Sequence, residues 1–99
     1  MSKAEPEPHF NEEIHAPMRL RICAALAEVK AMEFALLRER LNVADSVLSK
    51  HAARLEAAGY LSIKKESQKG HLYTWVALTP AGLDAYKAHI AALRQLAGL

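Results

Sequence analysis

A single cysteine among 99 residues excludes an internal disulfide and any paired-cysteine metal or redox motif. Cys23 sits among Leu20, Ile22, Ala24 and Leu26, where a buried, inert thiol is expected. Only six aromatics are present, so the core has to be aliphatic and alanine-rich, as in helical packing. No apolar run approaches the roughly 18 residues that a bilayer-spanning helix needs, and the start lacks a basic-then-apolar secretion pattern. No membrane partner and a cytoplasmic location are therefore expected. There is no glycine-rich phosphate loop, nucleophile elbow or paired-carboxylate constellation. Ser49 and His51 are two apart on a helical stretch, about 200° around it, and cannot form a catalytic pair. The reading is of a protein that is not an enzyme and carries no cofactor.

What is present suits one small globular domain with a single core, 52% of residues being hydrophobic. The net charge of +2 conceals an asymmetry. Residues 1–15 carry Lys3 against Glu5, Glu7, Glu12 and Glu13, a balance of −3 that leaves +5 for the rest. A modestly basic body with a detachable acidic tail suits a polyanionic partner. The tail, residues 1–10, is expected to be disordered.

Along the chain, Asn11 is placed to cap a short turn and Pro17 to open a helix of about 17–29, with Met18, Ile22, Leu26 and Val29 on one stripe. A second helix, about 33–41, presents Phe34, Leu37 and Leu41 but has no good capping residue, so tertiary contacts must hold it. Asn42-Val43-Ala44 is a turn, and Asp45 is expected to cap a third helix. On a 100° wheel Ala44, Ala52 and Leu55 lie within about 40° of Leu48, leaving Ser46, Lys50, Ala53 and Ala57 opposite, flanked by Ser49 and Arg54. Gly59 stands where a left-handed stop is wanted. Residues 61–66 and 72–78 alternate as strands around a polar turn, 67–70, with Tyr73, Trp75 and Ala77 on the face opposite Thr74, Val76 and Leu78. Thr79 and Pro80 open a last helix carrying Leu83, Tyr86, Ile90, Leu93 and Ala97 at 3-4-3-4 spacing.

The order is helix, helix, helix, hairpin, helix: mainly α with a small β-hairpin wing, a winged helix-turn-helix. The segments Ile14-His-Ala-Pro-Met-Arg-Leu-Arg-Ile22, Val47-Leu-Ser-Lys-His51, Leu55-Glu-Ala-Ala-Gly-Tyr-Leu61 and Ala77-Leu-Thr-Pro-Ala-Gly82 resemble the short winged-helix transcriptional regulators related to the MarR and ArsR families. The resemblance covers residues 11–97. It implies a homodimeric, sequence-specific regulator, usually a repressor, with the 45–58 helix in the major groove of double-stranded DNA and the 64–72 hairpin beside the backbone. Family members carry a basic residue where this chain has Leu83, so the resemblance assigns no phosphate contact there.

On that reading the division is 11–78 as the DNA-binding domain and 79–99 as a dimerisation helix. Ser46 and Ser49 allow close approach to a base edge or phosphate, Lys50 and Arg54 supply charge, and Ala53 keeps the helix slim; Arg54 is the residue suited to a guanine edge. Lys64, Lys65, Lys69 and His71 give the hairpin its surplus of positive charge, suited to phosphate contact. Leu83, Tyr86, Ile90, Leu93 and Ala97 form the expected dimer seam. The competing reading is a winged helix used for protein contact, in which the outer face of the third helix is ordinary solvated surface. A small-molecule effector between dimer helices would find apolar lining but no polar group that identifies it. The five histidines make no pair at metal-ligand spacing, so no metal site is expected; His51 is expected to bond a carbonyl or a neighbouring helix.

Overall fold

A computed structural model describes residues 6–99. Its elements are α1 (Glu12–His15), α2 (Pro17–Leu26), β1 (Met32–Glu33), α3 (Phe34–Leu41), α4 (Asp45–Ala57), β2 (Leu61–Gln68), β3 (His71–Leu78) and α5 (Pro80–Ala97). The three strands form one antiparallel sheet in the order β1-β3-β2. This is the winged-helix order read from the sequence, with two additions.

The first is α1, the turn anticipated from Asn11, whose side-chain oxygen accepts from the Ile14 N–H. The second is β1. Met32 pairs with Val76 and Glu33 with Trp75, so the uncapped start of α3 is fixed by a strand pairing. That pairing is the tertiary support its sequence requires. The acidic tail expected to be disordered falls, over residues 1–5, outside the described residues. From Pro6 to Asn11 the chain has no regular structure, and the His9 N–H donates to the Ala88 carbonyl of α5.

Three boundaries differ from expectation. The first long helix stops at Leu26, and Val29 is 42% exposed in the turn beyond. Asp45 is not the cap of α4. Ala44 occupies the cap position without a side-chain bond, while Asp45 lies in the first turn, where its charge complements the helix dipole. It also pairs with Arg38 Nε of α3 at 3.0 Å, across the turn in which Asn42 is left-handed. Finally, Ser67 and Gln68 are strand residues, paired with Leu72 and His71. The wing therefore closes with only Lys69 and Gly70, both at positive φ, as a two-residue hairpin of primed type requires.

α4 ends as the sequence indicated. Gly59 is left-handed at φ 84°, its N–H donates to the Glu56 carbonyl, and the Tyr60 N–H reaches back to Leu55. Ile14, Ile22, Leu26, Leu37, Leu48, Leu55 and Val76, from α1 through β3, have at most 1% exposure and form the core. Each such side chain contributes about 1.5–3 kcal/mol by leaving water. α5 buries Gly82, His89 and Ala92 and packs Ala85 and Tyr86 against this core, while Leu83, Tyr86, Ile90 and Leu93 are only half-buried and Ala97 is exposed. The core thus fixes the direction of α4 and leaves the larger residues of α5 only partly covered.

Candidate nucleic-acid interface

Because Leu48, Ala52 and Leu55 are buried, the opposite side of α4 is obliged to face solvent. Ser46, Ser49, Lys50, Ala53 and Arg54 are all exposed there, as their positions on the wheel required. The alanine keeps this face narrow, and a helix so shaped fits the major groove, which is about 12 Å wide.

The wing lies beside this helix. A surface cavity of about 260 Å³ runs between them, lined by Phe34, Ser49, Ala52, Ile63, Lys65 and Thr74. The register separates the wing lysines. Ile63 pairs with the buried Val76, so Lys65 and its partner Thr74 share that face, toward α4. Lys64 is opposite Trp75 and alternates onto the other face, with Tyr73 and His71. The His71 and Tyr73 rings are 6.5 Å apart on that side. Lys69 occupies the tip. Of the four basic residues singled out on the hairpin, the fold brings one, Lys65, against α4 and sets Lys64 and His71 on the far side.

Arg54 has a partner that the sequence did not reveal. Its Nε and Nη2 donate to the two carboxylate oxygens of Glu13 on α1, at 3.0 and 3.2 Å. The Arg54 hydrogen bond holds the Glu13 carboxyl below the usual carboxylate range, with further help from the charges of Arg54 and Arg19. Arg19, buried on α2, donates from Nε to the Glu13 backbone carbonyl and reaches His51 Nδ1 through Nη1 at 3.2 Å. Burial, followed by the charges of Arg19, Lys50 and Arg54, pushes the His51 imidazole below its ordinary value. A neutral His51 accepts from Arg19, so it bonds a neighbouring helix as expected. Among the described residues Lys50, Lys64, Lys65 and Lys69 have no ion-pair partner, and their charge is available to a polyanion.

With this geometry, residues 18–97 match the family described as the winged helix DNA-binding domain. The chain belongs to that family. An uncharacterized protein of Methanocaldococcus jannaschii, MJ0432, is 35% identical over 79 residues, 80% of this chain and 86% of the relative. Among solved structures, a transcriptional regulator homologue from Pyrococcus horikoshii OT3 superimposes with a TM-score of 0.85 at 22% identity, over 89% of this chain and 87% of its own. The PcaV transcriptional regulator from Streptomyces coelicolor, solved with its natural ligand, gives 0.73 at 22% identity, over 91% and 66%. The fold of this winged-helix chain is shared with these two solved proteins.

Two features of this winged helix were missed in the sequence. Glu13 counted there as part of a detachable negative charge, yet it is held on α4. Asn11 signalled the turn that carries Glu13, but nothing local discloses a contact spanning 41 residues. His15 and His89 likewise looked solitary because their spacing fits no metal motif, although their rings meet across the fold. No group of three metal-ligating side chains gathers among the described residues, and none of their helices is long and apolar enough to cross a membrane.

Proposed function

We propose that this winged-helix protein is a homodimeric, sequence-specific DNA-binding regulator acting as a repressor. One α4 enters the major groove at each half-site and the wing rests on the flanking backbone. The reading is carried by one observation: a slim, exposed α4 face bearing Ser46, Ser49 and Lys50 lies beside Lys65 of the wing, and neither lysine has an ion-pair partner among the described residues. Ser46, Ser49 and Lys50 supply base-edge and phosphate contacts, with Ala53 admitting the helix. Arg54 presents the guanidinium edge that Glu13 leaves unoccupied, while Lys69 contacts phosphate from the tip. Lys64 and His71 contribute charge from the outer face. The protein does no chemistry on its partner.

Homodimerisation is supported by α5. Leu83, Tyr86, Ile90 and Leu93 are half-buried, and Leu96 is 75% exposed on the same helix. Isologous pairing of two such faces would cover them and set the two α4 helices about one DNA turn apart. A cavity of about 330 Å³ on this face, lined by Pro6, Tyr86, Lys87, Ile90, Ala91 and Arg94, offers a small-molecule effector an aromatic wall beside two cations. An amphipathic anion suits that lining, and the PcaV structure, with its natural ligand bound, supports an effector reading.

Selection from random duplexes, followed by mobility shift at low and moderate salt, tests the proposal. A recovered palindromic site with steeply salt-dependent affinity supports it. Retention of no duplex at either salt would leave the protein-contact reading in its place.

A further inference from the structure

α1 is a single turn, too short to be stable alone. It persists because Ile14 is buried and because its two flanking residues are gripped from opposite sides. Glu13 is held by Arg54 of α4, and His15 by His89 of α5, which has no exposed surface. One turn of helix therefore ties the proposed DNA-reading element to the proposed dimer helix.

The second tie has a fixed protonation pattern. The Asn11 backbone N–H donates to His89 Nδ1 at 2.9 Å, so that nitrogen carries no proton. His89 Nε2 must then bear the hydrogen, and it meets His15 Nδ1 at 3.2 Å, which has to accept. The chain runs Asn11 N–H to His89 to His15 with every facing nitrogen committed. A proton arriving at His15 Nδ1 would confront the His89 N–H, and one arriving at His89 Nδ1 would confront the Asn11 N–H. Either ring can become charged only by breaking a link.

Water reaches His15, which is exposed, but not His89, which is fully enclosed. Phe10 packs on both imidazoles, with ring centroids 4.6 Å from His15 and 4.8 Å from His89. Tyr60 accepts from the Asn11 side chain at 3.0 Å. Glu12 on α1 is the acidic group that favours the charged form of His89, while Arg19 and Arg54 face Glu13. Burial, and then His15, outweigh Glu12 and hold the His89 imidazole below its ordinary value.

We propose that the His89–His15 chain is a proton-operated catch: closed, it keeps Glu13 on Arg54; opened by acidification, it loosens the turn of α1 around the still-buried Ile14 and frees the Arg54 guanidinium for DNA. This rests on the DNA-binding reading above. Glu13 takes two of the five N–H donors of Arg54 and cancels its charge, acting as an internal substitute for a phosphate. Cost and gain are of the size that an exposed ion pair provides, so the catch tunes affinity and does not abolish it.

The test uses the full chain and its glutamate variant E13Q, which alters a partly exposed side chain outside the core. Affinity for a selected duplex is measured at fixed salt from pH 7.5 to 5.5, while NMR follows the imidazole nitrogens of His15 and His89 and the Arg54 Nε–H. The difference between the two proteins at each pH is the readout. E13Q is expected to bind about two- to fivefold tighter at pH 7.5, with the difference vanishing by pH 5.5. In the wild type the Arg54 resonance should move with the same midpoint as the two imidazoles. An Arg54 resonance that stays fixed while the imidazoles titrate overturns the catch, as does weaker binding by E13Q, which would make Glu13 a buttress for Arg54. If neither protein retains duplex although the resonances move together, the DNA reading fails and the catch stands as a conformational switch.

Discussion

The carbonyl oxygen of Tyr60 occupies the space that a side chain at position 82 would need: a Cβ added to Gly82 would lie 2.1 Å from it. The same carbonyl accepts from the Thr79 N–H at 3.0 Å, while the Thr79 hydroxyl donates to the Gly59 carbonyl at 2.7 Å and accepts from the Gly82 N–H. The start of α5 is thereby bolted to the turn that ends α4, and the obstruction is backbone, which cannot swing aside. Gly82→Ala should lower stability by about 3 kcal/mol despite the better helix propensity of alanine. Chemical denaturation would measure it; an unchanged midpoint would mean that the two turns are not in contact.

This junction also shows what sequence reading reaches and where it stops. Gly59 as a helix stop, Thr79-Pro80 as a helix start and the alternation of β2 and β3 are set by neighbours a few residues away, and all were legible. The 44-residue separation of Val76 from Met32 was not, because two residues of β1 have no periodicity to recognise. The outer face of α4 was legible for a related reason: burying Leu48, Ala52 and Leu55 leaves Ser46, Ser49 and Lys50 no alternative. Arg54 was read correctly as exposed, but its bond to Glu13 depends on where α1 docks. Composition had counted that charge as available.

The separation of Lys64 from Lys65 makes two adjacent, chemically identical residues unequal. Lys65 lines the cleft beside Ser49, whereas Lys64 alternates to the side of Trp75. Lys65→Ala should reduce the slope of log affinity against log salt by about one, and Lys64→Ala by clearly less. Salt-titrated anisotropy on a single duplex distinguishes them. Equal losses would mean that the wing meets DNA edge-on.

Cys23 is wholly buried, and burial pushes its thiol up to about 11. At neutral pH it is protonated and shielded, so it should label with a disulfide reagent only as fast as the protein unfolds. Rapid native labelling would place α2 outside the core. Cys23→Ser should lower stability by about 1 kcal/mol or more through a buried hydroxyl without a partner, with no effect on DNA contacts.

Stability should fall on mild acidification, before carboxylates titrate. His89 and His51 are both depressed in the folded state, His89 by burial and then His15, His51 by burial and then Arg19. Below the unfolded value of about 6.5 the unfolded chain takes up protons that the native fold refuses, so stability decreases as pH drops through that window. The decline continues until pH passes the folded values. Glu13, depressed by Arg54, contributes in the same direction but only as pH falls through the carboxylate range. Melting temperatures from pH 7.5 to 5 should thus decline for the wild type, and less for His51→Gln, which lacks one of the two groups. A flat profile would mean that both imidazoles reach solvent in the native state.

The dimer proposal makes the sharpest demand on α5. Its buried residues are Gly82, His89 and Ala92, and Ala85 and Tyr86 pack against the core, so Ile90 and Leu93 are not needed to close the monomer fold. Ile90→Glu with Leu93→Glu should therefore leave the helical circular dichroism intact while placing two like charges per subunit in the pairing seam. Sedimentation at micromolar concentration should then report a monomer where the wild type is a dimer. A monomer engages one half-site without the effective concentration that a tethered second α4 supplies, so duplex affinity should drop about 100-fold or more although no DNA contact has been altered. The two measurements have to move together. A folded monomeric variant that bound its duplex as tightly as the wild type would show that one α4 and one wing suffice, and pairing through α5 would lose its role in recognition.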